Sequence, residues 1–197
     1  MKNDTQLSIK VIVGSTREGR FGDKAAFWIA EEIKKQEGVV VETLDLRDYD
    51  MPFFNEPVSP SFKQEPYKNE AVARFTQKIE EGDAFLIVTP EYNHGTSGVL
   101  KNALDWVYPE WNNKPVAFVS YGGVGGARAV EHLRLNVIEL QMAPIREAVH
   151  IPGDQYFQVL MGKMNAEDLF ISMSERAQRM ITQLLWWTRA LKSARHL

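Results

Sequence analysis

Ala84-Phe85-Leu86-Ile87-Val88-Thr89-Pro90-Glu91-Tyr92-Asn93-His94-Gly95-Thr96-Ser97-Gly98-Val99-Leu100-Lys101-Asn102-Ala103-Leu104-Asp105-Trp106 is the stretch that decides the fold. Its first five residues are apolar without alternation, the pattern of a strand covered by helices on both faces of a sheet. The strand gives way to a polar loop with one aromatic residue, and the loop opens onto a helix over residues 98 to about 107. In open α/β sheets ligands bind outside the carboxyl ends of the strands, so this loop reads as one wall of a binding site.

The flanking sequence repeats the strand-then-helix alternation. Leu7-Ser8-Ile9-Lys10-Val11-Ile12-Val13 is rich in β-branched residues and stops at Gly14, which marks a first strand. Residues 23–35 carry Ala26, Phe27, Ile29, Ala30 and Ile33 at helical spacing, and Gly38 closes that helix. A second strand over 39–46 leads into a Pro-rich loop ending near 68, and a second helix over 69–81 puts Ala71, Val72, Phe75 and Ile79 on one face. Beyond the opening stretch come a fourth strand over 115–120, a helix from 127 to about 141, a weaker fifth strand over 144–149 and a long helix over about 166–194. The alternation predicts a single domain over residues 1–197 with a doubly wound, five-stranded parallel sheet. The predicted strand order is 2-1-3-4-5, with helices on both faces.

Composition narrows the function. A chain of 197 residues, 44% hydrophobic and 25% charged, has the make-up of a globular protein with a sizeable core. It contains no Cys, which excludes disulfides, thiolate metal ligation and dithiol redox chemistry and fits a reducing compartment. Any redox chemistry must come from a bound cofactor. A net charge of -3 supplies no field for phosphate backbones, so nucleic acid is not an expected partner. No run approaches the roughly 18 apolar residues of a membrane span, and no cleavable leader pattern is visible, so the expected location is cytoplasmic.

With that strand order, three loops converge. Gly14-Ser15-Thr16-Arg17-Glu18-Gly19-Arg20-Phe21-Gly22 offers hydroxyls, two arginines and exposed N–H groups before a helix N-terminus, a combination suited to a phosphate or to a plain turn and cap. It is not a Walker A loop, because Arg20 and Phe21 stand where Lys and Ser/Thr are required. The opening loop presents the flat face of Tyr92 amid Glu91, Asn93, His94, Thr96 and Ser97, a mixture that matches a planar amphipathic heterocycle. Ser120-Tyr121-Gly122-Gly123-Val124-Gly125-Gly126 lets backbone approach a ligand closely, or simply enters a helix. It is no dinucleotide fingerprint: Arg128 takes the third glycine's place and the loop follows the fourth strand.

Together, Gly14-Ser15-x-Arg17, the motif from Thr89 through Trp106 and Gly122-Gly123-x-x-Gly126 resemble the NADPH-dependent FMN reductase family, whose relatives reduce quinones, chromate and azo dyes on a flavodoxin-like fold. The resemblance covers about the first 150 residues. It implies non-covalent FMN, NADPH or NADH as co-substrate, a small-molecule electron acceptor and a homodimer or homotetramer. Carried over by position, Ser15, Arg17 and the backbone of Arg20, Phe21 and Gly22 hold the phosphate. Pro90, Glu91, Tyr92 and Asn93 line the isoalloxazine, and Gly122 and Gly123 close its other side. The commoner phosphate loop carries Ser and Asn where Arg20 and Gly22 stand; the Arg20 side chain either compensates with charge or points into solvent. No catalytic side chain and no metal ligand is assigned. A flavodoxin-like electron carrier without nicotinamide turnover is the competing class, and a phosphate-binding module without redox activity a third.

Three further features carry expectations. Lys101 and Asp105, four apart on one helix, form either a surface pair or a bridge to another subunit. The loop around Phe53 and Phe54 packs at a subunit interface near the flavin or covers a sheet edge. Of the adjacent Trp186 and Trp187, one faces the core and the other a partner or groove.

Overall fold

The computed structural model describes residues 6–63 and 65–195. β1 (Leu7–Val13), β2 (Val39–Asp45), β3 (Ala84–Pro90), β4 (Pro115–Tyr121) and β5 (Ala143–Ile151) form one sheet in the order β2-β1-β3-β4-β5. Every pairing is parallel. This is the predicted doubly wound, flavodoxin-like arrangement, and the chain reverses its direction of winding between β1 and β3.

The unbroken apolar runs follow from a core on each face. Ile9, Val11 and Val13 of β1 and Ala84, Leu86 and Val88 of β3 pack under α1 (Gly22–Lys34) and the long final helix α6 (Ala166–Arg195). Ile12, Phe85 and Ile87 face the opposite way, under α2 (Glu70–Glu80), α3 (Gly98–Trp106) and α4 (Ala127–Glu139). Lys10 is the exception on β1: it is buried, and Glu42 and Glu81 pair with its ammonium. At the amino-terminal edge of the sheet α6 acts as a clasp. Lys192 Nζ reaches Gln6 O at 2.9 Å and Asp83 Oδ2 at 2.8 Å, and Arg195 reaches Asn113 O at 2.8 Å and Asp83 Oδ1 at 3.1 Å.

Two elements depart from expectation. β5 is longer than predicted, and its pairing with β4 shifts register between Val116 and Phe118, the mark of an irregular edge strand. After it comes an unforeseen helix, α5 (Gly153–Leu160). The sequence predicts no element between residues 149 and 166; in the fold Pro152 is the N-cap residue and Asp154 sits in the first turn, where the helix dipole favours an acid.

Lys101 and Asp105 form the surface pair within one chain, with Nζ–Oδ1 at 2.6 Å. Phe54 meets Trp106 edge-on with centroids 5.1 Å apart, while Phe53 is 83% exposed. Their loop is held to α3 by Asn102, whose Oδ1 accepts the Phe54 N–H at 2.9 Å, and by Trp106 Nε1, which donates to Pro52 O at 2.8 Å. Trp187 packs against the core and Trp186 is exposed.

Candidate functional site

The loop after β1 starts at a close approach to β3 and α3. Gly14 N–H donates to Val88 O at 2.8 Å, and a Cβ at Gly14 would lie 2.8 Å from Leu100 Cδ2, so only glycine lets β1 end against α3. Ser15 is buried, with its hydroxyl 3.0 Å from the Tyr92 hydroxyl and accepting the Arg17 N–H at 3.3 Å. Thr16 through Gly19 are exposed.

Arg20 occupies neither of the positions the sequence left open. Its guanidinium is buried, donates to Ser15 O, forms a forked pair with Asp45 at the end of β2, and bonds Asp23 Oδ1 through Nε at 2.6 Å. Burial opposes the charge, but the bonds to Asp45 and Asp23 outweigh it and raise the Arg20 pKa. Burial likewise works against the Asp45 carboxylate, and the Arg20 side chain and the Arg47 N–H overcome it, so its pKa is lowered. Phe21 turns its ring inward, edge-on to Tyr121 and Tyr156 at 5.2 Å each. Gly22 passes so close to Tyr121 that a Cβ would sit 2.9 Å from its hydroxyl.

In the loop after β3, Tyr92 and Gly95 exchange backbone bonds of 2.9 and 3.0 Å around Asn93 (φ 50°) and His94 (φ 69°). Two left-handed residues in a two-residue turn make a type I′ hairpin, which fixes the half-buried Tyr92 below the exposed Asn93–His94 tip. Ser97 caps α3 by accepting the Leu100 N–H at 3.2 Å and donates to Gly14 O, joining the first and second loops.

Glu91 is not a solvated acid. Its side chain is 5% exposed and accepts from Arg128 Nε at 2.6 Å and from the Arg128 N–H at 3.2 Å. Its own N–H donates to Tyr121 O at 3.0 Å. Glu91 and Arg128 therefore bind the second loop to the third, a link the sequence reading missed; the signal was an Arg where a glycine motif wanted Gly.

The third loop needs its glycines. Gly122 (φ 152°), Gly125 (φ 70°) and Gly126 (φ 74°) lie in the region that disfavours side chains, and a Cβ at Gly126 would fall 2.7 Å from Ser120 Cβ. Ser120 Oγ donates to Gly125 O at 2.7 Å and lies 2.8 Å from His150 Nδ1. Burial lowers the His150 pKa, so its imidazole tends to the neutral form. The first residue of α5 buttresses the loop from behind: Gly153 packs on the carbonyls of Gly122 and Gly123.

The structure brings Ser15, Arg17, Arg20, Phe21 and Gly22 together with Pro90, Glu91, Tyr92, Asn93, Gly122 and Gly123 at the carboxyl edge of β1, β3 and β4. Between the first two loops lies a recess of about 100 Å³ walled by Arg17, Gly19, Phe21, Tyr92, Tyr156 and Leu160, the last two supplied by α5. A wider cleft of about 320 Å³ near Tyr67, Thr76 and Glu110 shares no lining residue with the three loops. Among the described residues no cluster of three or more His, Cys, Asp or Glu is placed to hold a metal, and no helix is long and apolar enough to cross a membrane.

The same segments carry the likeness to known proteins. A family model described as NADPH-dependent FMN reductase matches residues 7–155. An NAD(P)H-dependent FMN reductase of Pseudomonas aeruginosa is 34% identical over 195 residues, 94% of this chain and 97% of its own length. Another, of Schizosaccharomyces pombe, is 37% identical over 152 residues, 76% of each chain. The solved structure of a flavoenzyme NAD(P)H:(acceptor) oxidoreductase of Paracoccus denitrificans shares the fold, with a TM-score of 0.67 at 23% identity over 90% of this chain and 97% of that one. The matched span runs from β1 into α5 and takes in all three loops, and on it the chain belongs to the NADPH-dependent FMN reductase family.

Proposed function

We propose that this chain binds FMN at the carboxyl edge of its sheet and passes a hydride from NADPH or NADH through it to a small acceptor of the quinone, azo, free-flavin or chromate type. The observation that carries the reading is the joining of the three loops: Ser15 meets Tyr92, Ser97 meets Gly14, and Glu91 meets Arg128. Their surfaces suit an elongated ligand with an anion at one end and a flat heterocycle at the other. The Arg17 guanidinium, the Ser15 hydroxyl and the N–H groups leading into α1 would hold the phosphate. Tyr92, Pro90 and the glycine wall at Gly122 and Gly123 would line the ring. In the second loop the Glu91 and Tyr92 N–H groups are already bonded within the chain, which leaves the Asn93 N–H as that segment's donor to the ring's polar edge.

FMN, when bound, supplies hydride acceptance from nicotinamide and delivery to the acceptor. The protein's contribution is orientation and fixed dipoles where negative charge gathers, and no ionisable side chain need transfer a proton in the first half-reaction. The reading includes a single domain, a cytoplasmic location and a homodimer or homotetramer.

Purified protein should be yellow or take up added FMN, bleach with NADPH or NADH without oxygen, and regain colour with a quinone. A colourless protein that takes up no FMN would refute the reading. Flavin that stays oxidised with both nucleotides, yet is reduced by a partner reductase, would make the chain an electron carrier instead.

A further inference from the structure

Three successive carbonyls of the loop after β1 are held from one side by two arginines. Arg20 Nη1 donates to Ser15 O, Arg47 Nε lies 3.4 Å from Thr16 O, and Arg47 Nη2 donates to Arg17 O at 2.6 Å. Asp45 ties the two together: it takes the forked pair from Arg20 and accepts the Arg47 N–H at 2.9 Å. Asp23 completes the frame, with Arg20 Nε at 2.6 Å and Arg47 Nη1 at 3.7 Å.

A trans peptide is planar, with its C=O and the following N–H pointing opposite ways. Fixing the carbonyls of Ser15, Thr16 and Arg17 therefore turns the N–H groups of Thr16, Arg17 and Glu18 away from the arginines. One of these directions is visible independently: the Arg17 N–H points to Ser15 Oγ, which itself meets Tyr92 on the site side. Consecutive N–H groups turned into one concavity are an anion-binding arrangement.

We infer that Arg20 and Arg47, anchored on Asp45, are positioning residues that hold the loop's N–H groups toward the phosphate end of the flavin without touching it. This rests on the FMN reading. It assigns Arg20 an indirect part and gives a role to Arg47 and Asp45, which lie outside the phosphate loop. The arrangement orders the loop before binding, so the ordering cost is not met at the moment the ligand arrives.

The test compares FMN with riboflavin, which lacks the phosphate, by flavin fluorescence titration of wild-type, Arg47→Met and Arg47→Lys proteins, with thermal melts to verify folding. Arg47 is preferred to the buried Arg20 because its side chain is 38% exposed. Arg47→Met should weaken FMN about tenfold while riboflavin changes by less than about twofold, and Arg47→Lys should recover part of the loss by reaching one carbonyl. Should Arg47→Met not fold, Arg47→Lys decides: a loss confined to FMN supports the brace, and an equal loss of both ligands or none overturns it. Equal weakening of both flavins by folded Arg47→Met, or no change, overturns the brace and leaves the FMN reading standing. Wild-type protein that binds neither flavin overturns both.

Discussion

Gly153→Ala tests whether α5 sets the position of the Gly122–Gly123 wall. A Cβ at residue 153 would penetrate the Gly123 carbonyl oxygen, lie 2.8 Å from that carbonyl's carbon and stand 2.9 Å from Gly122 O. These neighbours are backbone, not the tip of a flexible side chain, so either α5 withdraws or the third loop moves into the site. Overpacking of this kind costs about 1–3 kcal/mol. For a chain of this length each kcal/mol lowers Tm by about 2–4 °C, so a fall of roughly 2–12 °C is expected in a thermal melt. If even about 1 kcal/mol of the displacement persists in the bound state, FMN affinity drops about fivefold. Gly98→Ala is the matched control: that glycine begins α3 with nothing within 4 Å of its added Cβ, and the substitution should be neutral or stabilise by about 0.4–1 kcal/mol. Gly153→Ala protein that melts with the wild type and binds FMN equally would show that α5 does not fix the wall, and the reasoning would fall.

Ser97→Ala removes the α3 cap and leaves the buried Gly14 carbonyl without its donor, a loss of roughly 2–3 kcal/mol to be read in urea denaturation; an unchanged midpoint would contradict the stapling role. A double-mutant cycle of Glu91→Gln and Arg128→Gln should return a coupling near 1 kcal/mol, held down because the Arg128 side chain is 43% exposed. Additive effects would mean the two loops are joined by other contacts. Lys114, whose ammonium donates to Ile79 O at 2.9 Å and Glu80 O at 3.0 Å, has its pKa lowered from 10.5 to about 8, chiefly by burial and next by Arg195. The unfolded chain then binds more protons between pH 8 and 10.5, so stability should rise with pH across that window relative to Lys114→Met, by up to about 3 kcal/mol. A difference between the two proteins that stays flat with pH would refute it.

The strands read most directly from sequence are those with a core on both faces, while the edge strand β2 was legible from its β-branched run after Gly38. β1, β3 and β4 are apolar in nearly every position because their odd and even residues meet different helices. β5 pairs on one side only, so Arg146 and Glu147 interrupt its pattern, and its length was legible only in part. The convergence of the three loops followed from strand order alone. Their stitching did not, because it depends on residues distant in sequence: Arg20 finds Asp45 across 25 positions, and Glu91 finds Arg128 across 37. α5 is amphipathic but only eight residues long, too short for its periodicity to separate a helix from a loop in the sequence, and Tyr156 docks it against Phe21 and Tyr121.

The clasp made by the end of α6 joins Lys192 to Gln6 across 186 positions, and it lies at the edge opposite the three loops. The amino-terminal edge of the sheet is thus tied together by residues remote from the three loops. Such a division gives the loops evolutionary latitude: substitutions at the carboxyl edge can retune what is recognised there while the register of the strands is kept by the other end. In this chain the anchor at that far edge is Asp83 with its two cations, Lys192 and Arg195.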